Sequence, residues 1–258
     1  MAKAQNAVVA ATVGGIAIAS EVPEWLQKGN RGSENVEATD LILPRLGQIQ
    51  ALSPQIKKSD AAYIEGAEQG QLFNNLTNEV YGETIVFIPV IYRKEWVIFK
   101  DRKAGGGFFG AHPTEKEALE AIAQLPDADK LEAIESHNHI GYVITADGKR
   151  QQIVFTCTKS KIKASRKLNS LVTMAGVDRF AKAYEIKSFE DKNTAGDAYW
   201  NVDVKALGFL PELLYKEMSD QYEILKTLTI KVQHEDEAAV SEGSNRARRP
   251  NAVDEKEF

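Results

Sequence analysis

The chain predicts an α+β fold: an antiparallel β-sheet or small barrel with helices inserted between its strands. Two observations predict it. Runs of β-branched and aromatic residues come in pairs around turn residues, Tyr142 to Ile144 with Ile153 to Phe155 and Ala183 to Phe189 with Tyr199 to Ala206, as hairpins require. Helical patterns fall between these pairs and do not alternate with single strands, so the sheet is antiparallel.

The elements follow in order. Val8 to Ala19 is apolar and ends in Ala17-Ile18-Ala19, which looks like a signal-peptide core and cleavage site, but only Lys3 supplies positive charge before it. Its length, about a dozen residues, is too short to span a bilayer. With the polar, glycine-containing Lys28 to Ser33, it reads as a flexible leader over 1–40 of a cytoplasmic protein. A single domain is expected over 41–232.

Within Glu83 to Phe99, β-branched and aromatic residues are broken only by Arg93-Lys94-Glu95. This predicts two strands joined by a charged turn. Pro89 cannot donate a ladder hydrogen bond, so an edge or a bulge is expected there. Gly105-Gly106-Gly107 opens a loop. Thr114 with Glu117 forms a capping-box pattern for a helix whose apolar side is Leu119, Ile122 and Ala123. Asp147-Gly148 turns the first hairpin and residues 192–197 turn the second; Pro211 opens a helix to Leu228. From 233 onward there is little to bury, and a disordered tail is expected.

A chain of 258 residues with net charge -5 is not a histone-like coat for duplex DNA, because repulsion from phosphate must be overcome locally. One such place exists. Between Gly148 and Val177 there is no Asp or Glu, while Lys149, Arg150, Lys159, Lys161, Lys163, Arg166 and Lys167 fall inside it. If Thr158 or Ser160 caps a helix to about Ala175, Ala164, Leu168, Leu171, Val172 and Ala175 form one stripe. Lys159, Lys163, Arg166 and Lys167 then form the opposite face. A solvated charged face is the plain alternative, but one sign of charge favours a phosphate backbone.

Single-stranded nucleic acid also needs flat side chains for stacking. Five cations, Arg93, Lys94, Lys100, Arg102 and Lys103, run through the same stretch as Tyr92, Trp96, Phe99, Phe108 and Phe109. Strand alternation puts Trp96 and Ile98 on one face, Val97 and Phe99 on the other. Lys187 and Tyr199 on the second hairpin are further candidates.

Evidence for catalysis or cofactors is thin. The lone Cys157 excludes an internal disulfide and a multi-cysteine zinc site and reads as an inert buried thiol. His137-Asn138-His139 has two of the ligands a metal needs and no third. Asp203-Val204-Lys205 has the acid-x-lysine form of metal-dependent nucleases, with Asp178 or Asp197 as possible second acids. No P-loop, Rossmann, Gly-x-Ser-x-Gly, zinc-protease or kinase signature occurs. No cofactor or metal is expected.

Leu43-Pro44-Arg45-Leu46-Gly47-Gln48-Ile49-Gln50-Ala51-Leu52-Ser53-Pro54, Tyr63-Ile64-Glu65-Gly66-Ala67, Leu72 to Asn75 and Phe155 to Lys167 resemble segments of replication-associated proteins of tailed bacteriophages. The ending Asp254-Glu255-Lys256-Glu257-Phe258 is similar to the acidic, Phe-terminated tails of single-stranded DNA-binding proteins. The resemblance implies an OB-like barrel, single-stranded DNA as partner, and a tail of Asp254, Glu255, Glu257 and Phe258 that engages phage or host replication and recombination proteins. It implies no membrane association. The function expected is single-stranded DNA binding in phage replication or recombination, with backbone held by the basic helix and bases stacked on aromatics. The alternatives are a Mg-dependent nuclease and a phage structural or adaptor protein.

Overall fold

The computed structural model describes residues 9–13, 16–19, 29, 31–36, 41–101 and 104–227. It divides into two compact units, 1–41 and 42–258. In the first, β1 (Val9–Val13) pairs antiparallel with β2 (Ile16–Ala19). The stretch read as a leader thus carries a hairpin, consistent with its valines and isoleucines.

In the second unit, β3 (Leu46–Gln48), β4 (Leu72–Asn74) and β5 (Val80–Gly82) form a small antiparallel sheet in sequence order. The main sheet begins with β6 (Thr84–Lys100), which is followed by β7 (Phe108–His112), α1 (Glu115–Ala123), β8 (Leu131–Ile144) and β9 (Arg150–Thr158). Then come α2 (Ile162–Ala175), β10 (Lys182–Lys192), β11 (Ala198–Phe209) and α3 (Glu212–Thr227). The strand order is β11-β10-β6-β8-β9, with β7 also on β6. The fold is therefore α+β and antiparallel, with both predicted hairpins present. Strands β9 and β11 end the order, so the sheet is the open alternative and not a closed barrel among the described residues.

The Arg93-Lys94-Glu95 turn does not form. β6 runs through it because β8 offers a continuous partner, opposing these residues with Asn138, His137 and Ser136. Strand pairing over this length outweighs a local charged break. Pro89 does mark a bulge: the register shifts between Pro89 and Ile91. Close by, a Cβ on Gly141 would lie 2.1 Å from the Ile88 carbonyl oxygen and 2.8 Å from the Phe87 ring, so only glycine lets the two strands approach.

Paired residues share a face. On one face Phe87, Val143, Phe155, Cys157, Tyr184, Ile186 and Val204 pack with Ala164 and Leu168 of α2. On the other Ile88, Val90, Ile140 and Val154 meet Phe180 and the α3 residues Met218 and Leu225. At the far end of β6, Ile98 packs with Ala118 and Ile122 of α1. The predicted stripe of α1 is thus shifted: Leu119 is 53% exposed and Ala123 is also exposed, because β6 is met by the 118/122 row. The Thr114 cap is present, its hydroxyl oxygen accepting from the Glu117 N–H at 3.2 Å. α2 has no side-chain cap; a single 3-10 turn, Lys159–Lys161, leads into it instead. No helix among the described residues is long and apolar enough to cross a membrane.

Candidate functional site

The apolar stripe of α2 fixes its orientation: with Ala164 and Leu168 in the core, the helical period turns Lys163, Arg166 and Lys167 outward, and all three are exposed. Arg166 and Lys167, with Lys159 in the turn before the helix, meet acids from distant strands. Lys167 bonds both oxygens of Asp203 at 2.7 and 2.8 Å, Arg166 lies 3.4 Å from Glu135 and Lys159 lies 3.8 Å from Glu132. The run that holds no acid in sequence is therefore partly neutralised in space.

Glu135 is the meeting point. Lys94 on β6 pairs with it at 2.5 Å, and Lys94 also sits 5.8 Å above the Trp96 ring. Trp96 stands opposite Glu135 in the β6/β8 register. Glu135 thus links Lys94 and Arg166 beside Trp96, although Trp96 and Arg166 lie 70 positions apart in sequence; the indole itself is half-buried against Ile98 and the α1 residues Ala118 and Ile122. The Lys94 hydrogen bond, ahead of that from His137, holds the Glu135 carboxyl below its usual pKa.

Other predicted residues lie elsewhere. Strand alternation puts Arg93 and Phe99 on the opposite face from Trp96. Phe99 packs against Phe108 at 5.8 Å; Phe108 and Phe109 are 38% and 43% exposed. Phe108 pairs with Phe99 across β6 and β7 and so lies on the face away from Trp96, while Phe109 falls at the bulge between the Ile98–Gly110 and Phe99–Phe108 pairs. Lys100 pairs with Asp127 at 3.2 Å. Lys187 is exposed and opposes Asp203 across β10 and β11. The Tyr199 hydroxyl donates to Asp191 at 3.1 Å. Arg102, Lys103 and the tail residues Asp254, Glu255, Glu257 and Phe258 lie outside the described residues.

Behind Glu135 runs a buried polar chain that the sequence did not announce. Arg179 has donors only, so its contact at 3.3 Å with His139 makes His139 Nδ1 the acceptor. His139 Nε2–H then donates to the Ser165 hydroxyl oxygen at 2.8 Å. The Ser165 hydroxyl proton has His137 Nδ1 as its acceptor at 2.7 Å, and His137 Nε2–H points at Glu135 at 3.1 Å. A second Arg179 N–H donates to Asn169 at 2.5 Å, and the guanidinium lies over the Tyr92 ring at 5.3 Å. Burial first, then the Arg179 charge, holds the His139 pKa well below the ordinary imidazole value. The alternation Glu135, His137, His139 on one strand face was a readable signal. Nothing local marked Ser165, Asn169 or Arg179.

Ser165 is fully buried between two imidazoles, so the Ser-His-Glu array holds the sheet to α2 and presents no accessible nucleophile. Both histidines are committed to it, and no metal-binding cluster occurs among the described residues. Cys157 is buried and its thiol is pushed up to about 12 by burial. At the nuclease-like motif, Asp203 is engaged by Lys167. The two proposed second acids are held elsewhere: Asp178 accepts from Tyr215 at 2.6 Å, and Asp197 accepts from Asn193 at 3.0 Å in the β10/β11 turn.

A cavity of about 670 Å³ opens where β6 passes the turn before β10 and the last two turns of α3; Tyr92, Arg93, Arg179, Phe180, Tyr222 and Lys226 are in its wall. It was not foreseen, since its residues come from three separated segments.

No curated protein and no solved structure matches the chain. A family model described as Pam3 phage gp34-like protein matches residues 13–231. That span takes in the whole sheet, all three helices and both surfaces described above, and the chain accordingly belongs to this bacteriophage family.

Proposed function

We propose that the protein binds single-stranded DNA during phage DNA replication or recombination, as a binding protein and not as an enzyme. The observation that carries the reading is the junction at Glu135, where Lys94 over Trp96 and Arg166 of the basic helix converge. A strand laid across it meets a flat ring and cations within one nucleotide's reach.

The carboxylates on these cations do not defeat the reading. Exposed ion pairs are worth about 0–1 kcal/mol each, whereas one stacked base is worth about 1–3 kcal/mol and phosphate offers the same charge. Exchange of the exposed Glu132 or Asp203 for backbone phosphate is therefore close to neutral, and stacking supplies the net gain; the half-buried Glu135 stays in place on β8 and opposes a phosphate beside it.

The test is titration of the full chain with labelled oligo-dT across salt concentrations, with and without Mg²⁺. Tight binding that weakens steeply with salt, quenches tryptophan fluorescence and falls in Trp96→Ala and in Lys163→Ala/Arg166→Ala supports the proposal. Absent or salt-independent binding sinks it. Mg²⁺-dependent cleavage that disappears in Asp203→Ala replaces it with the nuclease. Deleting Asp254 to Phe258 is expected to leave DNA affinity equal or higher while abolishing recruitment of replication or recombination proteins.

A further inference from the structure

Arg179 is a half-buried cation without a counter-charge. Its acceptors, His139 Nδ1 and Asn169 Oδ1, are both neutral, and among the described residues no carboxylate pairs with it. The acids of the same cavity are turned to other partners: Asp178 to the Tyr215 hydroxyl at 2.6 Å and Glu223 to Lys226. A guanidinium withdrawn from water is expensive unless an anion meets it. This one is instead clamped from behind by His139 and Asn169 and laid on Tyr92, with further N–H donors still to place.

That clamp is what a preorganised anion site requires: the guanidinium is oriented before the ligand arrives, so little side-chain freedom is lost on binding. Burial is the largest influence on the Arg179 pKa and lowers it, and only the Tyr184 and Tyr92 phenols oppose that, which agrees with a charge that has no acidic partner.

The remaining walls add ligand character. Lys226 lies in the last turn of α3, with its ammonium 5.4 Å over the Tyr222 ring, and its ion pair with Glu223 is exposed on both sides. It can swing to an anion at little cost and so uncover the ring. Tyr222 is 37% exposed and leans on Phe180 at 5.7 Å. The cavity, about 670 Å³, lies in the range of small-molecule sites, about 300–1,000 Å³, and is far larger than a phosphate ion needs.

We propose that this cavity is a nucleoside-phosphate site, in which Arg179 and Lys226 take the phosphate and Tyr222 takes the flat ring. It is separate from the surface at Glu135 and does not rest on the reading of that surface. The nucleotide is either free or the terminal unit of a strand, since both present a phosphate monoester beside a base.

The test is calorimetric titration of the full chain with dTMP, thymidine and inorganic phosphate. Binding in the order dTMP, phosphate, thymidine is expected, with a loss of about tenfold or more for dTMP in Arg179→Gln, where one charged hydrogen bond is removed. Because Arg179 also supports the buried chain, Lys226→Glu and Tyr222→Ala on exposed positions of α3 serve as second variants, each expected to weaken dTMP while the thermal transition stays near that of the parent. No heat with millimolar dTMP, or parental affinity in both α3 variants, overturns the proposal. Lys163→Ala/Arg166→Ala is expected to weaken oligo-dT and leave dTMP unchanged; parallel loss of both overturns the separate site, and loss of oligo-dT binding alone in the parent would overturn only the reading at Glu135. Competition between dTMP and 5′-phosphorylated oligo-dT, but not the unphosphorylated strand, assigns the site to strand ends; lack of competition assigns it to free nucleotide.

Discussion

Arg179 donates to Nδ1 of His139 across 3.3 Å, and that contact fixes which nitrogen of His139 carries the proton. Arginine cannot accept, so the proton sits on Nε2 and faces Ser165 at 2.8 Å. A second proton would have to enter at Nδ1, directly against the guanidinium. Desolvation and the Arg179 charge therefore act together to keep His139 neutral.

A pH dependence follows. The folded pKa of His139 lies well below the ordinary imidazole value of about 6.5, so below that value the unfolded chain binds a proton that the folded chain does not. Stability is complete above about pH 6.5 and falls as the pH drops below it, by up to about 1.4 kcal/mol per pH unit for one proton. Glu135, whose carboxyl pKa is lowered chiefly by Lys94, adds loss in the same direction only at lower pH. Urea denaturation at pH 5.5 and 7.5 checks this. In His139→Gln, whose amide can still accept from Arg179 and donate to Ser165, the difference between the two pH values should shrink.

Gly141 sets a second expectation. A Cβ there would overlap the Ile88 carbonyl oxygen at 2.1 Å, which is backbone at a bulge and cannot swing aside. Gly141→Ala should cost about 3 kcal/mol or more, at or beyond the upper end of ordinary overpacking. Gly208→Ala, on β11 with nothing within 4 Å of the added carbon, should stay within about 0.5 kcal/mol. Thermal denaturation of the pair separates close approach from the general effect of replacing a strand glycine.

How far the sequence was legible depends on the range of the deciding contact. Asp147-Gly148 and the apolar runs beside it act locally, and the β8/β9 hairpin stands where they put it. The Ala164/Leu168 stripe likewise orients α2 correctly, and alternation rightly separates Trp96 and Ile98 from Val97 and Phe99. Arg93-Lys94-Glu95 reads as a turn in the sequence because the residues it pairs with on β8, Ser136 to Asn138, lie more than forty positions later. The acids on the basic helix were invisible for the same reason: Glu135 and Asp203 are each more than thirty positions away from the cation they meet. Charge along the chain identified the helix, and charge in space, which sets the field a ligand meets, required the fold.

Cys157 offers a direct check on burial. It is fully enclosed beneath α2, and its thiol pKa of about 12 leaves almost no thiolate at pH 8, the form that reacts. The folded protein should resist a chromogenic disulfide reagent at that pH, with full labelling only on adding denaturant. Rapid labelling of the native chain would mean that α2 lifts from the sheet on the time scale of the assay.

Glu135 also makes a prediction that runs against the usual effect of mutating a binding surface. Its carboxylate neutralises Lys94 and Arg166 together, and both are the groups a backbone phosphate would use beside Trp96. Glu135→Gln keeps an oxygen to accept from His137 at the end of the buried chain while removing the charge. Two pairs that are exposed on the cation side and half-buried at Glu135, at about 0–1 kcal/mol each, set the scale, so oligo-dT affinity should rise by up to about thirtyfold. The dependence of log affinity on log salt should steepen, by about 0.7 for each additional single-strand phosphate that a released cation contacts. Fluorescence titrations of the parent and Glu135→Gln at several salt concentrations measure both quantities at once. Unchanged or weaker binding in a folded Glu135→Gln would place the DNA away from Trp96, because no strand crossing that junction could be indifferent to a carboxylate shared by its two nearest cations.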